Sequence, residues 1–278
     1  MSAGSIPCSV LILTRNSAES IERCVQNLAP FAEILVHDAN SEDDTVAIAR
    51  RYGARIEKQY DTDEKSVRVK DFTEMRLKQR AAARYDWVLY LDGDEYLSDA
   101  LIEEIRLILL DADPKTIVKF PRLPVIEGRI RTAGIFYPEV MPRIHHRKSG
   151  ATLRKGKVVH EKYVYDDTFT EVVTRNPLLF PLPEVSDLRR KDDRYITLEV
   201  QNIEREGMRW KRYLRWFLFR EPLLMLSLIG RMMLFGPRYW KASSVPIAHD
   251  WRYVTYHWRL FRAVSGAMLA NPLRQGRI

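Results

Sequence analysis

The sequence predicts an α/β fold: a doubly wound, mostly parallel sheet with antiparallel additions, followed by a helical, basic and amphipathic C-terminal region. Three observations predict it. Over the first hundred or so residues, apolar runs alternate with helix-period segments across short connections, as in successive strand–helix–strand units. The run from Trp87 to Leu91 is continuously apolar, as expected of a central parallel strand covered on both faces, and it ends in Asp92, Asp94 and Glu95. From Arg189 to Ile278 there are 18 Lys and Arg against 7 Asp and Glu, a balance of +11, while the rest of the chain, 27 against 30, carries −3.

The elements follow in order. Ser9 to Thr14 (SVLILT) is a buried strand running into Arg15, Asn16 and Ser17, where either Asn16 or Ser17 is placed to cap a helix. That helix is predicted over 18–28, with Ile21, Cys24, Val25 and Leu28 on one face and Pro30 at its end. Glu33 to His37 is the second strand, followed by the loop DANSEDDT, which holds Asp38, Ser41, Asp43, Asp44 and Thr45. A helix over 46–52 stops at Gly53, and a third strand occupies 54–58. Residues 60–72 read as a polar loop. The basic helix TEMRLKQRAAAR, 73–84, leads into the Trp87 strand and carries Gln79 and Arg80 late in its course; both are read as binding a nucleotide, with Arg80 facing phosphates or forming part of a solvated basic face. An amphipathic helix over 99–110 presents Leu101, Ile105, Ile108 and Leu109 and reads as purely structural.

From Thr116 to Asp166 the pattern changes to short β-like pieces, read as an antiparallel hairpin region with Gly128, Gly134 and Gly150 at turns. His160 and Glu161 follow Val158 and Val159 at the end of one such piece, an imidazole beside a carboxylate. The connector 175–188 contains Pro177, Pro181 and Pro183, which divides the chain into domains 1–175 and 176–278. Beyond it a helix is predicted over 192–206, followed by MRWKRYLRWFLF and LLMLSLIG. The uncharged stretch from Pro222 to Gly230 falls far short of the ~20 residues that span a bilayer, so it lies in an interface or packs on the protein.

Composition bounds the function. With 278 residues and 46% hydrophobic content the chain buries a full core. Cys8 and Cys24 make neither a disulfide framework nor a CxxC metal pattern, which suits a reducing cytosol, and MSAGSIPCSV has no basic n-region or apolar stretch of a signal peptide. Five of the six tryptophans lie in the basic C-terminal third. Cations interleaved with Trp, Tyr and Leu suit an anionic membrane interface, and the same mixture binds nucleic acid. Ligands of such sheets sit beyond the carboxyl ends of the strands, where Asn16, Asp38 and Asp92 fall. Asp92 and Asp94, separated only by Gly93, can converge on one hard divalent cation, and Mg2+ held by one or two carboxylates completes its shell with substrate phosphates. The first strand is not followed by GxGxxG, which disfavours a dinucleotide-binding fold.

The succession SVLILTRN, EILVHDANSEDDT, KQRAAARYDWVLYLDGDE, YPEVMPRIHHR and VVHEKYV resembles the family 2 glycosyltransferases of GT-A fold, most of all the bacterial lipopolysaccharide core β-1,4-glucosyltransferases. The likeness covers roughly Ser9 to Asp166. It implies that Thr14, Arg15 and Asn16 line a nucleotide pocket, that Asp38 hydrogen-bonds uracil, and that Ser41 with Asp43 or Asp44 closes the loop around base and ribose. Asp92 and Asp94 match the DxD pair, the first near the ribose or metal-bound water, the second a ligand of Mn2+ or Mg2+. His160 and Glu161 match an HE element in which His160 is a further metal ligand and Glu161 the general base, with Glu139 the next candidate. Two departures stand out. Asn16-Ser17 replaces a common Asn-Glu, altering one nucleotide contact, and DGD replaces the usual DAD while keeping both carboxylates.

The resemblance thus implies an inverting, metal-dependent transfer of a hexose, glucose by likeness, from a UDP-sugar to a lipopolysaccharide-core or other lipid-linked glycan. The expected place is the cytoplasmic face of the inner membrane, with an anionic membrane surface as partner and no nucleic acid. Two other readings remain at this stage: a basic membrane- or RNA-binding adaptor with a degenerate nucleotide fold, and a sugar-nucleotide pyrophosphorylase. The latter needs a glycine-rich loop that TRNSAES lacks.

Overall fold

Ile6–Thr14 forms β1, the strand on which the parallel half of the sheet is built, and it is buried along nearly its whole length. The computed structural model describes residues 4–69, 71–153, 163–206 and 210–270. β2 (Phe31–Asp38) pairs with β1 in parallel, β3 (Arg55–Lys58) extends β2, and β4 (Trp87–Asp92) lies on the other side of β1. The chain therefore reverses direction of travel between β1 and β4, which makes a switch point, and open α/β sheets bind ligands there.

The intervening helices are α1 (Ala18–Val25), α2 (Thr45–Arg51), α3 (Phe72–Ala82) and α4 (Asp99–Asp111). Because β1 and β4 are sandwiched, alternate residues serve opposite cores. Val10, Ile12, Leu89 and Leu91 pack with Ile21 of α1 and with Leu101 and Ile105 of α4. Leu11, Leu35, Val88 and Tyr90 pack on the other face with Ala83 and Leu153. This is why the runs carry no period-two alternation.

The sheet continues with β5 (Thr116–Ile126), β6 (Arg129–Ile130), β7 (Glu139–His146), β10 (Thr170–Val173) and β11 (Leu178–Pro181), after the small separate pair β8 (Thr152–Leu153) and β9 (Tyr163–Val164). Among the described residues the order is β10-β5-β7-β4-β1-β2-β3, with β6 and β11 also on β5. β7 runs antiparallel to both β4 and β5, as the hairpin pattern predicts. β10 differs: it pairs with β5 in parallel. Both cysteines are buried and free.

The chain divides into two compact units, 1–123 with 138–181, and 124–137 with 182–278. The second division falls inside the Pro-rich connector, just after the boundary read from sequence. The excursion 124–137 has no compositional mark. In the second unit, α5 (Val185–Glu206), α6 (Trp210–Arg215), a π-turn (Trp216–Arg220), α7 (Glu221–Phe235) and α8 (Ile247–Ala270) form a helical array. α5 packs along α8, where Arg252 reaches Asp192 at 2.6 Å, and Tyr213, Trp216, Val264 and Met268 make an aromatic core. α5 begins earlier than predicted, at Val185.

Two buried histidines give the first unit an acid sensitivity. Burial pushes His37, at the end of β2, down to about 4, against the opposing pull of Glu57, and pushes His145, which packs with Tyr90 and Tyr163, down to about 3. Both folded values lie below the unfolded one, so the unfolded chain takes up these protons first. The stability they contribute is complete above about pH 6.5 and is lost as pH falls toward 4, by about 1.4 kcal/mol per pH unit for each histidine. Urea unfolding should accordingly show a midpoint that drops between neutral pH and about pH 4.5; an unchanged midpoint would contradict the neutral, buried assignment.

Candidate active site

The strand register brings the sequence-predicted residues to one edge. Thr14 lies opposite Asp38, and Leu13 opposite Asp92, at the carboxyl ends of β1, β2 and β4. Asp38 organises the first half of this edge. Its Oδ1 accepts from Thr14 Oγ1 at 3.1 Å and from Ser41 Oγ at 2.6 Å, and its Oδ2 accepts from the Ser41 backbone N–H at 2.8 Å. Asn16 is the joint. Its φ of 48° is left-handed, a conformation Asn tolerates better than other side chains, and its backbone N–H donates to Ser41 Oγ at 2.8 Å while its Oδ1 accepts from the Glu42 N–H at 3.0 Å.

The loop after β3 is drawn over the same edge. Asn16 Nδ2 donates to Ser66 Oγ at 3.0 Å, and Arg15 Nη1 reaches the same hydroxyl at 3.3 Å. Asn40 Nδ2 donates to the carbonyls of Thr62 at 2.7 Å and Glu64 at 2.8 Å. Thus Thr14, Arg15, Asn16, Asp38 and Ser41 form one connected cluster.

The two acids that follow behave differently. Asp43 accepts from the Ala18 N–H at 3.0 Å and from the Thr45 N–H at 3.0 Å, so it ties together the first turns of α1 and α2. Burial pushes its carboxyl up, but the hydrogen bonds from Thr45 and Ala18 outweigh that and hold it below the usual range. It corrects the expected cap of α1: Ser17 occupies the N-cap position with no side-chain capping bond, and Asp43 from the neighbouring loop supplies the acceptor instead. Asp44 is exposed at the N-cap of α2.

Gly93 lets the two aspartates approach β1. Its N–H donates to the Leu13 carbonyl at 3.2 Å, and a Cβ there would meet Thr14 Cγ2 at 3.0 Å and the Leu13 carbonyl oxygen at 3.3 Å. Asp92 is half-buried and Asp94 exposed. Behind them stands a charge cluster that sequence reading missed. Arg76, buried in α3, pairs with Asp92 Oδ1 and donates to the carbonyls of Leu91 at 3.0 Å and Leu11 at 3.3 Å. Glu95, with no exposed surface, accepts from the Asp92 N–H at 3.0 Å, from Arg122 Nε at 2.8 Å and from Arg143 Nη2 at 2.5 Å.

Burial raises the carboxyls of both Asp92 and Glu95. For Asp92, Arg76, Arg143 and Arg122 outweigh it and hold the group below its ordinary range, so it is anionic at neutral pH. For Glu95, burial and the Asp92 charge prevail over Arg143 and Arg122, leaving it above its ordinary range. Three arginines thereby face two carboxyl groups, Asp92 and Glu95, packed at one sheet edge. The signal was present in α3, where Thr73, Arg76 and Gln79 recur on one face and are all buried.

Gln79 needs correcting as a residue facing the nucleotide. It is fully buried, donating to the Ile12 carbonyl at 2.9 Å and accepting from Arg76 Nη1 at 3.2 Å. Arg80 Nη1 donates to the Ala151 carbonyl at 2.9 Å. Glu139 is exposed, its Oε2 3.8 Å from Arg122 Nη1. His160 and Glu161 lie outside the described residues. Tyr163 of β9 packs with its ring 6.4 Å from that of Tyr90 in β4.

A hard divalent cation suits what is present. Asp92 and Asp94 are oxygen donors on either side of a glycine, the number of carboxylates Mg2+ takes when phosphates complete its shell. Among the described residues, no three His, Cys, Asp or Glu side chains converge into a self-sufficient metal cage. The two carboxylates fit a cation whose shell is completed by a substrate's phosphates.

Residues 9–132 match the family described as glycosyl transferase family 2. The chain is 25% identical over 236 residues to the lipopolysaccharide core biosynthesis glycosyltransferase LpsC of Rhizobium meliloti, covering 81% of this chain and 82% of that one. It is 37% identical over 105 residues to an uncharacterized glycosyltransferase of Rickettsia bellii, covering 36% of this chain and only 32% of the relative's length. Among solved structures, mannosyl-3-phosphoglycerate synthase from Rubrobacter xylanophilus aligns with a TM-score of 0.44 at 17% identity, over 72% of this chain and 74% of that one.

Proposed function

We propose, from the match of residues 9–132 to the family described as glycosyl transferase family 2, that this chain moves a hexose from a UDP-sugar to a lipid-linked or lipopolysaccharide-core glycan with inversion at the anomeric carbon. The observation that carries the reading is the register that sets Thr14 and Asp38 beside Leu13 and Asp92 on one sheet edge. In this reading Asp38, steadied by Thr14 and Ser41, meets the uracil, and Arg15 and Asn16 line the pocket. Asp43 and Asp44 act indirectly, by shaping the loop that closes on base and ribose. The likeness to LpsC supports an acceptor of the lipopolysaccharide-core class and hence a place on the cytoplasmic face of the inner membrane.

Asp94, with Asp92 and His160 as further donors, would hold Mg2+ or Mn2+, and the ion would supply positive charge against the diphosphate. Arg76 keeps Asp92 ionised and oriented for that role. Glu161 is the base: it takes the proton of the acceptor hydroxyl as that oxygen bonds to the anomeric carbon and the bond to UDP breaks, the electron pair leaving with UDP. It stands two positions before Tyr163 in the sequence.

Glu161→Gln should lower transfer about 10²- to 10⁴-fold, the usual contribution of a general base, with UDP affinity unchanged. Steady-state transfer over a panel of UDP-sugars, alongside calorimetric UDP titration, checks this. Wild-type turnover in the variant would move the base elsewhere, with Glu139 tested next, and absence of metal-dependent UDP affinity in the native chain would sink the transferase reading itself.

A further inference from the structure

The helix running from Trp216 through Phe235 is apolar on two opposite sides. At about 100° per residue, Glu221, Leu228, Met232 and Phe235 fall on one side and are buried, Leu228 and Met232 clustering with Val254 of α8. On the other side Phe219, Leu223, Leu226, Met233 and Leu234 are 60, 61, 64, 74 and 85% exposed. Just beyond the helix, Trp240 is 92% exposed. A helix hydrophobic all round belongs in a core or against a lipid phase, and an exposed apolar patch of this continuity marks a docking surface.

Charge identifies what docks. Between Lys211 and His249 the sequence has seven Lys and Arg and a single acid, Glu221. That acid is turned inward, 1% exposed and 2.8 Å from His257 Nδ1. Arg215, Arg220, Arg231, Arg238 and Lys241 are exposed around the stripe. Leucines and methionines bordered by outward cations, with a tryptophan at the end, match the depth profile of an anionic bilayer: acyl boundary, ring-level interface, phosphate layer. Among the described residues no helix is long and apolar enough to cross a membrane, so this one would lie along the surface.

We propose that the outward stripe of Trp216–Phe235, closed by Trp240, inserts into the headgroup boundary of an anionic phospholipid bilayer while Leu228 and Met232 keep it packed on α8. Its purpose rests on the reading of the acceptor as membrane-borne. Its test does not, because vesicle binding requires no glycosyl transfer.

The experiment is co-sedimentation of the full chain with phosphatidylcholine vesicles, with and without phosphatidylglycerol, at rising salt. Native chain should bind the phosphatidylglycerol vesicles, less so as salt screens the arginines. The double variant Leu226→Glu with Leu234→Glu changes only exposed side chains and should bind about tenfold more weakly or worse, with circular dichroism and UDP affinity unchanged. Arg231→Glu with Lys241→Glu should lose the preference for anionic vesicles. The proposal is overturned if native chain does not bind, if the leucine variant binds as well as native, or if native chain is a dimer that the leucine variant converts to monomer without any vesicle binding, in which case the face covers a second copy.

Discussion

Asp94→Ala is expected to remove metal-dependent transfer, by about 10²- to 10³-fold or more, the scale seen when a single charge-stabilising group is deleted from an active site. The side chain is exposed. Stability should stay within about 0.5 kcal/mol of the native value, as for ordinary surface substitutions. That separation of effects is the diagnostic. Turnover measured across a manganese titration, next to urea unfolding, should show activity lost at all metal concentrations and the unfolding midpoint unmoved. A variant with native metal dependence would show that Asp94 is not a ligand.

Arg76→Leu should have the opposite balance, damaging structure and site together. Breaking a fully buried pair costs about 3–5 kcal/mol because the surviving charge has no partner, and here the cost falls below that, to about 2–3 kcal/mol, since the Asp92 side chain keeps 45% of its surface in solvent. Arg76 also donates to the Leu11 and Leu91 carbonyls, which leucine cannot replace. Without the guanidinium, burial pushes the Asp92 carboxyl upward, weakening it as a ligand and as a ribose acceptor. Arg76→Lys restores charge but not the fork that spans carboxylate and carbonyl, so it should recover affinity only in part. Urea unfolding and UDP titration of both variants check this; native behaviour in Arg76→Leu would contradict the positioning role.

What could be read from sequence follows from what each signal depends on. The parallel strands were legible because burial on both faces writes an unbroken apolar run, and their carboxyl-terminal acids were legible because Asp38 and Asp92 close such runs at the strand ends where ligands of these sheets sit. Side-chain direction inside a charged helix was not. In TEMRLKQRAAAR every cation looks solvated, and only the recurrence of Thr73, Arg76 and Gln79 on one face betrays that α3 turns Arg76 and Gln79 inward. Glu95, Arg122 and Arg143 come from three separate elements and share no local pattern, so only the folded sheet unites them. The cap of α1 by Asp43 is likewise a contact across 25 residues. The excursion 124–137 and the parallel pairing of β10 depend on tertiary partners in the same way.

The most direct measurement is the anomalous scattering of manganese in crystals grown with UDP. A peak within bonding distance of an Asp94 carboxylate oxygen and of the UDP diphosphate, with Asp92 beside it, is the predicted result. Manganese bound away from both aspartates, with the nucleotide elsewhere than the Thr14–Asp38 edge, would contradict it.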